Sequence, residues 1–182
     1  MKTLSSFFDR ISNWKVLLGT IAVYLSFPAY FFKNAETKMN ALSGQSLGPI
    51  DLTMGFTPER TLQMVASYGH EARAYYATVE YTVDVAYPVV YSFLFAIILS
   101  LLFRHKSYKP FDYVNLFPLV VLVLDYLENI TIVSLLNSYP TQSMTIATLC
   151  ELFKLMKWIS LGATLLLIIY GLLKQLPKSK TQ

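Results

Sequence analysis

Apolar residues dominate four stretches of the chain, and each stretch is long enough to cross a membrane as a helix. The stretches run over about residues 15–32, 77–103, 113–136 and 146–173. A membrane-spanning helix needs about 20 mainly apolar residues. The pattern therefore predicts an all-α fold, a bundle of four transmembrane helices that forms a single domain over residues 1–182.

A shorter stretch near the N-terminus has the spacing of an amphipathic helix. Its apolar members are Leu4, Phe7, Phe8, Ile11 and Trp14. Basic residues lie off this face, a pattern typical of a helix that rests on the membrane surface. A mobile amphipathic tail would show the same pattern and is the alternative.

The long segment between the first two spans contains signals for another short helix. The string GFTPERTLQMVASYG offers Thr57 as N-cap, Pro58 at the first helical position and Gly69 as a stop. We expect this short amphipathic helix to lie over the outer end of the bundle.

The composition fits a membrane protein better than a soluble one. Hydrophobic residues make up 54% of the chain and charged residues only 14%, whereas soluble domains are about 25% charged. The net charge of +4 does not point to nucleic acid, because the basic residues flank the apolar stretches and form no stripe. The sequence therefore predicts a multi-pass integral membrane protein.

The distribution of basic residues predicts the orientation. Basic residues lie before the first span, after the second and after the fourth: Lys2, Arg10, Lys15, Arg104, Lys106, Lys109, Lys174, Lys178 and Lys180. The segment NSYPTQSMT after the third span has neither Lys nor Arg. Short basic segments stay in the cytoplasm, so we expect a bacterial inner membrane protein with both termini inside and the segment 33–76 outside.

Several kinds of chemistry find no support in the sequence. His70 and His105 lie at opposite ends of the second span, so they cannot bind one metal ion or one haem. The single cysteine, Cys150, cannot form an internal disulfide. A Gly-rich phosphate loop and a nucleophile elbow are both missing, so the sequence indicates no cofactor.

Charged and polar residues nevertheless occur inside the spans, at helical spacing. The second span carries Arg73, Tyr76, Glu80, Asp84, Tyr87 and Tyr91, all on one narrow face. The third carries Asp125, Glu128 and Asn129, and the fourth carries Glu151, Lys154, Lys157 and Trp158. A charge that faces lipid at the centre of a span costs about 2.5–3.5 kcal/mol on insertion scales. We therefore expect these faces to meet inside the bundle.

The charges inside the spans do not balance. Five acids stand against two lysines, which leaves an excess of three negative charges. Protonation, bound cations, a ligand or water must neutralise this excess. The imbalance favours a shared pocket in the outer half of the bundle. A salt-bridged core, in which Lys154 pairs with Glu128 or Asp125, is the structural alternative.

Parts of the sequence resemble known membrane proteins. The strings MGFTPERTLQMVASYGHEARAYYATVEYTVDVAYPVVY and LDYLENITI resemble a widespread type of small, uncharacterised four-helix membrane protein of bacteria. This resemblance spans most of the chain and implies no activity. The layout is also similar to that of the emopamil-binding and sigma-2-receptor type, whose acids on several helices surround a pocket for amphiphilic, often cationic, sterol-like ligands. The likeness is one of architecture, and it assigns no residue roles.

Three hypotheses about function follow. In the first, the pocket binds a membrane lipid, a small amphiphile or an organic cation. Glu80, Asp84, Asp125 and Glu128 would then handle protons in isomerase-like acid–base chemistry. The remaining polar residues of the three spans would contact the ligand: Arg73, Tyr76, Tyr87, Tyr91, Asn129, Glu151, Lys154, Lys157 and Trp158. In the second, the protein is a proton- or cation-coupled carrier, or its accessory subunit, working as a homo-oligomer. In the third, it is a structural or assembly protein with a polar core.

Overall fold

Four long apolar helices make up most of the protein. The computed structural model describes residues 1–104 and 112–175. Its candidate membrane spans are Trp14–Ser43, Gly69–Phe103, Val114–Ser138 and Met144–Leu173. Over the described residues the fold is all-α and contains no strand, which confirms the predicted fold class. His105, Lys106, Lys109, Lys178 and Lys180, used in the sequence argument, lie outside the described residues.

The first span is longer than the hydropathy pattern predicts. Helix α2 (Trp14–Ser26) continues through a π-helical turn (Phe27–Phe32) directly into helix α3 (Lys33–Ser43). The predicted end at residue 32 is wrong because the apolar signal stops there, while good helix formers continue through the polar string KNAETKMNALS. Gly44 ends the helix in the left-handed conformation, with φ of 68°.

Helix α1 (Lys2–Ile11) confirms the predicted N-terminal helix and packs on the bundle. Phe8 is buried against Ala96 and Ile97, and its ring lies 5.8 Å from that of Phe93. We call this end of the bundle the α1 end.

Helix α4 (Pro58–Ser67) confirms the short helix predicted in the segment after the first span. Thr57 is the N-cap residue, as predicted, although its side chain makes no capping hydrogen bond. Gly69, with φ of 75°, turns the chain into helix α5 (Gly69–Phe103). Helix α5 therefore begins eight residues before the predicted position 77. We call this end of the bundle the α4 end.

Helices α6 (Pro118–Ser138) and α7 (Met144–Leu173) complete the bundle. Helix α6 packs between α5 and α7, whereas the first span packs on α5. Within residues 1–104 and 112–175, no broad contact joins the first span to α7. The two elements therefore stand on either side of a space whose back wall is formed by α5 and α6.

Candidate functional site

A cavity of about 590 Å³ fills the space between the first span and α7. It reaches from the α4 end to the middle of the bundle. The charged residues on its wall are Lys33, Glu36, Asp51, Glu80, Asp84, Asp125 and Lys157. These five acids and two lysines leave an excess of three negative charges, which equals the excess counted within the spans although the two sets share only Glu80, Asp84, Asp125 and Lys157.

Glu80 and Asp125 are the two buried acids on this wall that keep an oxygen without a hydrogen-bond partner among the described residues. The Glu80 side chain lies on the cavity, yet the residue is only 3% exposed. Among the described residues, the Oε2 atom of Glu80 has no hydrogen-bond partner. An unpaired buried charge destabilises a protein by several kcal/mol, so this carboxyl group is a natural position for a cationic partner or a proton.

Asp84 lies one helical turn further along α5 and is held by Asn129. The Nδ2 atom of Asn129 donates to the Asp84 side chain at 3.0 Å and to the Asp84 carbonyl oxygen at 3.1 Å. Pro88 lacks the N–H that would otherwise bond to this carbonyl. Asn129 therefore satisfies a backbone group that Pro88 leaves free, and it fixes one side of the Asp84 carboxyl group.

Asp125 and Glu128 share a single lysine. Lys157 Nζ contacts Glu128 Oε2 directly and lies 3.7 Å from Asp125 Oδ2. Tyr91 donates to the same Asp125 oxygen at 2.7 Å. Asp125 and Lys157 lie on the cavity wall, whereas Glu128 is completely buried behind them. Glu128 therefore contacts the cavity wall through Lys157.

Glu151 and Lys154 form a separate network near the α4 end. Lys154 Nζ donates to Glu151 Oε1 at 2.6 Å and to Thr53 Oγ1 at 2.8 Å. Thr61 Oγ1 donates to Glu151 Oε1 at 2.5 Å, and the Thr57 backbone N–H donates to Oε2 at 3.3 Å. The expected pairing of Lys154 with Glu128 or Asp125 is wrong, because Glu151 lies one turn away on the same helix. This network fastens α4 and the segment before it to α7.

Residues 49–53 close the cavity at the α4 end, and we call them the cap. The Ile50 backbone N–H donates to Tyr76 Oη at 2.8 Å, and the Tyr76 hydroxyl donates to Asp51 Oδ1 at 3.1 Å. Trp158 Nε1 donates to the Asp51 carbonyl oxygen at 3.4 Å. Just before the cap, the hydroxyl of buried Tyr68 donates to the Gly48 carbonyl oxygen at 2.8 Å, and burial raises the pKa of this phenol.

Aromatic rings form the side of the cavity between the first span and α5. The Tyr87 ring lies 5.7 Å from Tyr24, 5.0 Å from Phe32 and 5.3 Å from Tyr91. Phe27 packs on the same ring at 5.2 Å. The π-helical turn that contains Phe27 and Phe32 thus positions the wall that faces the acids.

The predicted site residues divide into two sets. Those on the cavity wall are Tyr76, Glu80, Asp84, Tyr87, Tyr91, Asp125, Lys157 and Trp158. Those away from it are Arg73, Glu128, Asn129, Glu151 and Lys154. Arg73 contacts neither the acids nor the wall, because its guanidinium stacks 3.8 Å from the Tyr139 ring centre and donates to the Val65 carbonyl oxygen at 3.1 Å.

Three charged wall residues, Lys33, Glu36 and Asp51, were not among the residues predicted from the sequence. All three lie in the segment 33–76, which the hydropathy pattern marks only as a connection. The apolar neighbours of Asp51, Ile50 and Leu52, were a signal that this piece of the segment packs against protein.

The wall combines tyrosine rings with several carboxyl groups. In the part of the chain that the structure describes, no three His, Cys, Asp or Glu residues converge as metal ligands. Tyrosine rings and dispersed carboxyl groups instead offer a positively charged organic group both counter-charge and π-faces. Comparison of the chain with protein-family models, with curated proteins and with solved structures finds no match.

Proposed function

We propose that this integral membrane protein binds a small amphiphile with a cationic headgroup in the cavity between the first span and α7. The observation that carries the proposal is Glu80, a buried carboxyl group on the cavity wall whose Oε2 has no hydrogen-bond partner among the described residues. A ligand cation would pair with Glu80 and would offset the excess negative charge shared with Asp84 and Asp125.

The opposite end of the cavity matches the apolar part of such a ligand. Phe95, Val121, Leu161 and Leu165 line it on the side of the α1 end. Pockets for small molecules combine a largely apolar wall with a few polar groups that fix orientation. The headgroup would therefore lie near Glu80 and Asp84, with the apolar body directed toward Val121 and Leu165.

Acid–base chemistry on the bound ligand is an extension of this proposal. Glu80 and Asp84 would exchange protons with the ligand, because both carboxyl groups lie on the wall. Tyr91 and Lys157 would hold Asp125 in position through their contacts with its Oδ2 atom. Glu128 would hold Lys157 in place and would not touch the substrate.

A structural role for part of the polar core has its own support. The Glu151–Lys154 network is fully hydrogen-bonded, and Asn129 satisfies the backbone of Asp84. We assign these residues to stability and the wall acids to binding. The carrier hypothesis has less support, because a polar path toward the α1 end would have to cross the apolar packing around Phe95 and Val121. Residence in a bacterial inner membrane, with the α4 end outside, is part of the proposal and rests on the basic residues.

Binding can be followed through the fluorescence of Trp158, which lies on the cavity wall. A Trp14→Phe background removes the other tryptophan of the chain. The purified protein in nanodiscs is titrated with dodecylamine, dodecanol and dodecanoate, which share a chain and differ in head charge. A hydrogen bond to a charged group contributes about 1.5–3 kcal/mol, so dodecylamine should bind roughly 10- to 150-fold more tightly than dodecanol.

Glu80→Gln should remove most of this preference, since the amide keeps the shape and loses the charge. Glu71→Gln is the matched control, because Glu71 is an exposed residue of the same helix away from the cavity. Equal dodecylamine affinity in the two variants, or equal affinity of the unsubstituted protein for all three compounds, would show that the proposal is wrong.

A further inference from the structure

We infer that the ligand reaches the cavity from within the bilayer, between the first span and α7, and that it is a single-chain amine of about 20 non-hydrogen atoms. This inference rests on the proposed function and specifies its ligand class. Four observations support it: the hydrogen-bonded cap at the α4 end, the open side of the cavity, the distribution of polarity along that opening and the cavity volume.

At the α4 end the cap lies between the cavity and water and is held firmly in place. Hydrogen bonds from α5 and α7 hold it: Tyr76 bonds to Ile50 and Asp51, Trp158 to Asp51, and Lys154 to Ile50 and Thr53. Ile50 is completely buried beneath these contacts. Opening a route here would break all of these bonds together.

The side that faces lipid has no comparable closure. Tyr24 and Pro28 line the cavity on the first span, and Leu161 and Leu165 line it on α7. Within the described residues, no broad contact joins these two elements. Leu165 is 45% exposed although it lines the cavity. We call the gap between these four residues the slit.

The rim of the slit is charged at one end and apolar at the other, like an amphiphile. Toward the α4 end the rim carries the exposed charges of Lys33 and Glu36, whereas toward the middle of the bundle it carries Pro28 and Leu165. A single-chain amine in the bilayer keeps its head near the charged interface and its chain in the apolar layer. It could therefore move sideways through the slit without either part leaving its preferred environment.

The cavity volume limits the size of the ligand. At the roughly 30 Å³ that a water-sized group occupies in a liquid, the cavity of about 590 Å³ holds about 20 such groups. Each methylene buried from water should tighten binding roughly fourfold until the cavity is full. Two-chain phospholipids exceed this volume, so one chain is the expected limit.

The first test varies the ligand in the nanodisc titration. Affinity should rise from butylamine through dodecylamine to hexadecylamine. The α,ω-diamine with the dodecyl chain should bind at least roughly tenfold more weakly than dodecylamine. Its second ammonium group would have to lie among Phe95, Val121 and Leu165. Comparable binding of butylamine, the diamine and dodecylamine would overturn the inference.

The second test narrows the slit. Leu165→Phe enlarges a rim residue, and Leu166→Phe is the control because its side chain is 67% exposed and does not line the cavity. Stopped-flow transfer of dodecylamine from vesicles should be slowed roughly tenfold by Leu165→Phe and unchanged by Leu166→Phe. Dissociation should slow as well, because a blocked route hinders both directions, whereas mere loss of space in the cavity would speed dissociation.

The outcomes separate this inference from the proposed function. If no amine binds the unsubstituted protein, both are wrong. If dodecylamine binds through Glu80 but Leu165→Phe leaves both rates unchanged, the proposed function stands and lateral access is wrong. Tyr76→Phe loosens the cap, so faster association in that variant, with no effect of Leu165→Phe, would place the route at the α4 end.

Discussion

Replacing Lys154 by methionine should destabilise the protein severely. Lys154 donates hydrogen bonds to Glu151, Thr53 and the Ile50 carbonyl oxygen. Methionine has a similar length but no charge and no donor. Glu151 is only 2% exposed, so the substitution would leave a buried carboxylate with Thr61 and the Thr57 backbone as its remaining donors.

The size of the expected stability loss follows from the burial of the Lys154–Glu151 ion pair. Removing one partner of a buried ion pair costs about 3–5 kcal/mol, mainly because the other charge is left uncompensated. For a chain of 150–250 residues, 1 kcal/mol corresponds to roughly 2–4 °C in Tm, so Lys154→Met should lower Tm by about 6–20 °C. The double variant Glu151→Gln with Lys154→Met removes both charges and should recover part of this loss.

The assay is a thermal melt of the purified variants in detergent, with Glu80→Gln measured beside them. Glu80→Gln should leave Tm equal or higher, because it removes an unpaired buried charge and keeps the shape of the side chain. The reasoning would be refuted if Lys154→Met melted like the unsubstituted protein, or if Glu80→Gln destabilised the protein as much as Lys154→Met does.

Two further predictions concern packing and orientation. Gly171→Ala should lower Tm by an amount equivalent to about 1–3 kcal/mol, because a Cβ there would lie 2.9 Å from Phe103 Cε2 and 3.0 Å from Leu102 Cβ. Gly162→Ala, with nothing within 4 Å, should not lower Tm in the same melt and should raise it slightly, because alanine favours a helix more than glycine does; equal effects of the two substitutions would contradict the packing. In a Cys150→Ala background, an impermeant maleimide on intact cells should label Ser46→Cys but not Ser107→Cys. The reverse pattern would overturn the predicted orientation.

The sequence alone determined the number and type of the spans. Hydropathy is a local property, and a run of about 20 apolar residues has few structural options other than a membrane helix. The same locality explains why Glu80, Asp84 and Asp125 could be expected to face the interior of the bundle. A charge facing lipid is too costly, so helical spacing sufficed to place these acids on inward faces. The end of the first span was missed because α3 is polar and its continuation depends on helix propensity and on packing against α5.

Only the tertiary structure decided which charges are partners and which face the cavity. Lys154 and Lys157 both lie on α7, three residues apart, yet Lys154 pairs with Glu151 while Lys157 reaches Asp125 and Glu128. Asp51 comes to the wall from a segment that the span pattern leaves unassigned. Such choices depend on the relative rotation, depth and crossing of neighbouring helices. Helical spacing gives the direction of a side chain around its own helix, but it does not say where the neighbouring helix lies.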